Sequence, residues 1–190
     1  MKSKMIFKLG SVLSLVVFYI TLLICVLEAL EHISHLWFAD SGWTGILGTF
    51  EPIFSYVDIH FKQHPDLYQS KSYIALSFVN SISAMLLTTM FAWYMHRLLR
   101  NIYRDSLFMN ENVPVFYRLG ISIIVLGTLF NYTEGVMLSQ AIGELQITNA
   151  SISLTDISYM DSLISGFILM IIASALKIAV RAVEENKNTI

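Results

Sequence analysis

The sequence predicts an all-α integral membrane protein, a four-helix bundle with both termini cytoplasmic, and two observations carry that prediction. The first is a set of four apolar stretches, Leu9 to Leu30, Tyr73 to Met95, Leu119 to Leu138 and Leu163 to Val180. At about 1.5 Å of rise per residue, each is long enough to cross roughly 30 Å of hydrocarbon. The second is the placement of the 12 lysines and arginines. Lys2, Lys4 and Lys8 precede the first stretch, Arg97, Arg100, Arg104 and Arg118 separate the second from the third, and Lys177, Arg181 and Lys187 end or follow the fourth. Lys62 and Lys71 alone lie in the opposite loops. Lysine and arginine accumulate in cytoplasmic loops, so both ends of the chain belong inside.

A hydrophobic content of 55% with 14% charged residues and a mean hydropathy of +0.63 excludes a disordered chain and argues against a soluble domain. The 190 residues accommodate one membrane domain. The net charge of -2 averages a basic inner face with an outer face carrying Glu31, Asp40, Glu51, Asp58, Asp66, Glu144, Asp156 and Asp161. Overall charge is therefore no guide to partners.

The first apolar run is too long for a secretory signal and lacks a small-x-small cleavage pattern, so it reads as a retained helix. Branched Ile24 ahead of Cys25 argues against a lipoprotein acylation site. A single cysteine excludes an intramolecular disulfide and any relay between paired thiols. The outer loop, residues 31–72, is aromatic and apolar. In it Ile53, Phe54, Val57 and Phe61 follow Pro52 at helical spacing, which predicts a short amphipathic helix ending before Pro65. Trp37, Trp43 and Tyr73 suit an aromatic belt at headgroup level.

The second helix has no breaker after Met95 and is expected to run on to Arg104. Arg97, Arg100 and Arg104 would then anchor it in anionic headgroups of the bilayer or dock an acidic partner. In the inner loop, residues 96–118, Asn110-Glu111-Asn112 makes a turn and Pro114 starts the third helix. An outer loop, 139–162, leads to the fourth. Its Asn149-Ala150-Ser151 triplet has glycosylation spacing, a match common by chance.

Each helix bears a line of small or polar residues, such as Gly120, Gly127 and Asn131 on the third and Ser162, Gly166 and Ala173 on the fourth. Close packing, within the chain or in a homo-oligomer, accounts for most of them. Glu28 and Glu134 need another reason, because a carboxylate at membrane depth costs about 3 kcal/mol on insertion scales. Both fall in the outer halves of their helices, where Asn80 and Asn131 lie at similar levels. These four are expected to share a polar pocket open to the outside, as a structural cluster, a site for a small ligand or cation, or a transport path for protons or ions.

Four of the five histidines lie in the first outer region. Glu28, Glu31, His32 and His35 share one helical face if the first helix extends past Leu30, and His60 and His64 form an i, i+4 pair. Two imidazoles one turn apart can reach a Zn²⁺ or similar ion, with outer carboxylates completing the shell. Spacing alone also fits ordinary interfacial histidines. No pattern suits haem held by two membrane histidines, a di-iron bundle, nucleotide binding or a His-Glu-x-x-His protease. Direct nucleic-acid binding has no motif either, and an enzyme is not expected.

The inner loop carries a family resemblance. Leu99-Arg100-Asn101-Ile102-Tyr103, Leu107-Phe108, Glu111-Asn112 and Tyr117-Arg118-Leu119-Gly120 resemble the inner-loop pattern of the DUF2975 family of bacterial membrane proteins. The tail, with Gly166, a long apolar run, Ala182, Glu184-Glu185 and Thr189-Ile190, is similar to the family's ending. Asn186-Lys187-Asn188 and the long histidine-rich outer loop depart from it. The resemblance implies a multi-pass protein of the bacterial inner membrane with no established activity. It also implies a co-encoded small helix-turn-helix regulator as a cytoplasmic partner. The function expected is a non-enzymatic regulatory or sensory module, with a small transporter as the alternative and a metal-binding protein as the third reading.

Overall fold

The computed structural model describes residues 2–38, 49–55, 57–146 and 158–188. Helix α1 covers Lys2–Trp37 and α2 covers Lys71–Arg104. Helix α3 is continuous over Asn110–Glu144. It comprises a 3₁₀ turn at Asn110–Asn112, an α-helix at Val113–Ser122, a π-helical stretch at Ile123–Gly127 and an α-helix at Thr128–Glu144. Helix α4 covers Ser158–Asn188. No strand occurs among the described residues, and all four helices are long and apolar enough to cross a membrane.

Each helix outlasts its apolar stretch, because a helix begun in hydrocarbon can continue into water wherever no breaker intervenes. Thus α1 reaches Trp37 and carries His32 and His35 on the same element as Glu28. Ser70 caps α2, its hydroxyl accepting from the Tyr73 N–H at 3.3 Å. At the other end α2 reaches Arg104, as the absence of a breaker predicts.

The helices pack in chain order, α1 on α2, α2 on α3 and α3 on α4. Along α1, Leu9, Leu13, Ile20, Leu23 and Leu27 are more than half exposed. Lipid is as apolar as these side chains, so their burial cannot hold α1 in place, and polar contacts take that role. Three of them bridge α1 to α2 at successive depths. The His32 Nε2 and Ser77 Oγ atoms lie 3.2 Å apart, Thr89 donates to Thr21 at 3.3 Å, and His96 Nδ1 donates to the Ser11 carbonyl at 2.8 Å.

Between α3 and α4 the backbones themselves touch. A Cβ added at Gly166 would sit 2.6 Å from the Gly120 carbonyl oxygen, and one at Gly120 would sit 2.8 Å from that of Gly166. The stripe of small residues read from the sequence is a contact surface here. The π-helical stretch beside it, with its i to i+5 pairing, leaves no comparable mark in the sequence.

The inner loop turns on Asn112, which is fully buried. Its amide donates to the carbonyls of Leu107 at 2.9 Å and Ser106 at 3.3 Å, and its oxygen accepts from Asn101 at 2.8 Å. The motif residues Asn101 and Asn112 are thus a single cross-brace. Asn112→Ala strands one donor and two carbonyls and is expected to cost about 3 kcal/mol. Thermal unfolding in detergent, with faster tryptic cleavage after Arg104, checks this.

Two sequence expectations need correction. The described residues of the proposed amphipathic helix, 53–55 and 57–61, are irregular, and a 3₁₀ turn at Asp66–Gln69 is the helical element in the described part of the loop after Thr49. A helix of two turns has a costly nucleus, and here the segment finds stronger partners at long range. Phe54, Ile59 and Phe61 pack against a cluster of Phe50, Tyr68, Tyr73, Ile74, Met137 and Ala141. Tyr73 is therefore no belt residue: it is buried, stacked on Tyr68 with ring centroids 5.4 Å apart. Trp43, the glycosylation triplet and the final Thr189-Ile190 lie outside the described residues.

Candidate functional site

Asn80 of α2 lies at the base of the candidate site. Its amide donates to the Phe130 carbonyl at 2.9 Å and to Thr133 Oγ1 at 3.0 Å, joining α2 to α3. One residue beyond Thr133, Glu134 is buried and turned toward the outer loop. Ser55 holds both its oxygens. The Ser55 N–H donates to Oε1 at 2.6 Å and the hydroxyl donates to Oε2 at 3.1 Å. Hydrogen bonds to a carboxylate are among the strong ones, so this clasp fixes the loop on the helices.

A second tie fixes the same loop from its other side. His64 Nε2 donates to the Phe50 carbonyl at 3.0 Å, while the Phe50 ring meets the edges of His32 and His35 at centroid distances of 5.5 and 5.7 Å. Three histidines thus surround one phenylalanine. His32 is buried, with Nδ1 on the Glu28 carbonyl at 2.9 Å and Nε2 on Ser77. A carbonyl only accepts, so Nδ1 carries a proton, and in the neutral ring Nε2 accepts from the Ser77 hydroxyl.

Beneath the loop lies a cavity of about 200 Å³. Glu28 and Glu31 of α1 and Glu51 of the loop form an acidic wall, and Ser77, Asn80 and Ser81 of α2 face it. Phe50, Met85 and Phe130 supply apolar surface, and neither lysine nor arginine contributes to the lining. The Glu28 carboxylate has a distant neighbour in His32 Nδ1, at 3.9 Å. A second cavity of about 240 Å³ lies on the far side of the loop, among Glu51, Asp58, His60, His64 and Tyr68. Burial, reinforced by the charge of Glu51, pushes the Tyr68 phenol above its ordinary pKa, so it serves there as a neutral hydroxyl.

The four residues expected to share a pocket therefore separate. Glu28 and Asn80 line the cavity, whereas Glu134 meets it through Ser55. Asn131 turns the other way and donates to Ser162 Oγ of α4 at 2.9 Å. One helical turn separates Asn131 from Glu134 in sequence, but the α3 faces they occupy look toward different neighbours. Of the histidines, His32 lines this cavity and His60 and His64 line the other. The His35 Nε2 atom is buried without a hydrogen-bond partner. Among the described residues, no group of three or more His, Cys, Asp or Glu is placed to hold a metal ion. The structure divides the four histidines considered for zinc, with His32 at one cavity and His60 and His64 at the other.

The inner-loop residues that carry the resemblance lie inside a longer match. Over residues 59–190 the chain matches DUF2975, described as a protein of unknown function. The chain belongs to the DUF2975 family. No curated protein and no solved structure matches it. The DUF2975 match begins after the acidic wall, so Glu28, Glu31, His32, Glu51 and Ser55 precede it, while Ser77, Asn80, Ser81 and Phe130 fall within it. Eight of the fourteen lining residues thus precede the matched region and six lie within it.

Sequence reasoning missed Glu51 and Ser55 as parts of the site. Ser55 lies in the segment read as a surface helix and Glu51 just ahead of it, and nothing local marks Ser55 as the partner of a residue 79 positions away. The one available signal was the acid itself, since Glu134 at membrane depth requires donors from somewhere.

Proposed function

We propose that the chain is a non-enzymatic membrane sensor that binds a small organic cation in its outer cavity and answers through its inner face. The observation that carries this reading is the lining: three glutamates, one histidine but no lysine or arginine, and aromatic and thioether walls. Carboxylates with aromatic faces recognise ammonium groups, and a cavity of this size suits a ligand of few atoms. With the basic loops inside, the cavity opens on the outer face of the membrane. The family resemblance supports a bacterial inner membrane as the location.

Transmission follows from the packing. The ligand would sit between α1 and α2, whose three polar bridges run from His32–Ser77 to Ser11–His96. A shift of α1 against α2 is then felt at the inner end as a rigid-body movement. The cytoplasmic partner proposed is the helix-turn-helix regulator that the family resemblance suggests, received by the loop at 105–112 and the inner end of α4.

Thermal unfolding in detergent with tetramethylammonium, ethanolamine or Mg²⁺ tests this reading. A ligand present at about 100 times its dissociation constant adds about 2.7 kcal/mol to stability. An organic cation is expected to raise the midpoint of the native protein but not of the Glu28→Gln/Glu51→Gln variant. Equal responses in both proteins, or none in either, would refute it.

A further inference from the structure

The inner ends of α1 and α2 present a different chemistry. His96 bonded to Ser11 and Gly10 packed under Leu99 fix the register of the two helices there. One turn further inward, Lys8 Nζ lies over the Tyr103 ring, 5.9 Å from its centroid. Lys4 continues along α1, and on α2 Arg100 and Arg104 follow His96 at successive steps of four, beside the face that carries Leu99 and Tyr103. Lys4, Lys8, Arg100 and Arg104 are exposed. The acids on this side are Asp105 and Glu111 of the loop and Glu184 and Glu185 on the last turns of α4, all exposed; among the described residues Asp105 and Glu111, the two nearest in the chain, form no ion pair with these cations. Like charges on the ends of two tightly packed helices repel, and the repulsion calls for an anion from elsewhere.

Length places the seam at the membrane boundary. The 34 residues of α2 rise about 51 Å against roughly 30 Å of hydrocarbon, so its last turns stand among headgroups. We propose that the Lys8, Arg100 and Arg104 seam holds the phosphate of an anionic phospholipid, one per chain, and that this lipid neutralises the α1–α2 inner end. Arginine supplies the donor fork that phosphate oxygens accept, and Lys8, steered by Tyr103, supplies a point charge. This assigns to lipid the arginines that sequence alone leaves between lipid and protein. It does not depend on the outer cavity.

Native mass spectrometry of the full chain, released from micelles doped with equal phosphatidylglycerol and phosphatidylcholine, reads the proposal. One phosphatidylglycerol per chain is expected to survive, at least tenfold in excess over phosphatidylcholine. The Lys8→Gln/Arg100→Gln/Arg104→Gln variant is expected to lose that preference, and Lys8→Arg to keep it. Lys62→Gln, on the opposite side, controls for net charge. Should the triple variant fold poorly, competition on the native chain decides instead. Displacement of the lipid by millimolar inorganic phosphate would reassign the seam to free phosphate and overturn the lipid proposal. Equal retention of the two lipids, or an unchanged preference in the triple variant, would overturn it as well.

Discussion

Gly166→Val is expected to force α3 and α4 apart and to be the most damaging single substitution in the chain. A side chain at Gly166 meets the Gly120 carbonyl oxygen at 2.6 Å and the Ile124 side chain besides. A flexible side chain can yield, but a backbone oxygen cannot without moving its helix. Overpacking of a fitted core costs about 1–3 kcal/mol, and this contact lies at or beyond the upper end because the obstacle is backbone. Membrane helices also lack a hydrophobic force to hold them once close contact is lost. Thermal unfolding in detergent should show a much lower midpoint for Gly166→Val and a smaller fall for Gly166→Ala. Gly143→Ala, where no atom lies within 4 Å of the added carbon, should leave the midpoint unchanged.

The second large effect is expected at the clasp between the outer loop and α3. Ser55→Pro removes the N–H held at 2.6 Å by Glu134 and the hydroxyl as well, leaving a buried carboxylate without these donors. Such a group costs about 3 kcal/mol or more. Ser55→Ala keeps the N–H and should cost about 1 kcal/mol. Glu134→Gln keeps an acceptor for the Ser55 N–H and can donate its amide to the Ser55 hydroxyl, but it loses the charge-assisted strength of both bonds, so it falls between them. Protease sensitivity of the loop after Lys62, read beside the thermal midpoint, separates loop release from general unfolding. The three variants should rank Ser55→Pro, then Glu134→Gln, then Ser55→Ala in both measurements.

The parts of this molecule legible in its sequence are those governed by local physics. Apolar length gives four helices long enough to cross a membrane, and the lack of a breaker carries α2 to Arg104, whereas α1 runs past its expected end at Leu30 to Trp37. Pro114 marks the start of α3, and Gly120 and Gly166 mark a close crossing. The inner-loop motif likewise points to the family. What the sequence hides is set by contacts across long separations. The segment at 53–61 has helical spacing, yet it is drawn into irregular structure by Glu134 and by the Phe50–Tyr68–Tyr73 cluster. Asn131 and Glu134 share a helix, and the neighbours of that helix, not its period, decide that one turns to α4 and the other to the loop. Tyr73 reads as an interfacial aromatic until the returning loop covers it. The cost of an acid at membrane depth marks Glu28 as a pocket residue in the sequence, but the wall that Glu51 adds to its cavity becomes visible once the loop is folded back.

The central claim, that the outer cavity binds a small organic cation, is tested most directly by equilibrium dialysis with radiolabelled tetramethylammonium. Proteoliposomes carrying the protein in a known orientation are used, with the label supplied to one face at a time. The account predicts saturable binding of one cation per chain from the face opposite the termini, lost in Glu28→Gln/Glu51→Gln and retained in the clasp variant Ser55→Ala. Binding that fails to saturate, that enters from the face carrying the termini, or that survives in the double variant would contradict it.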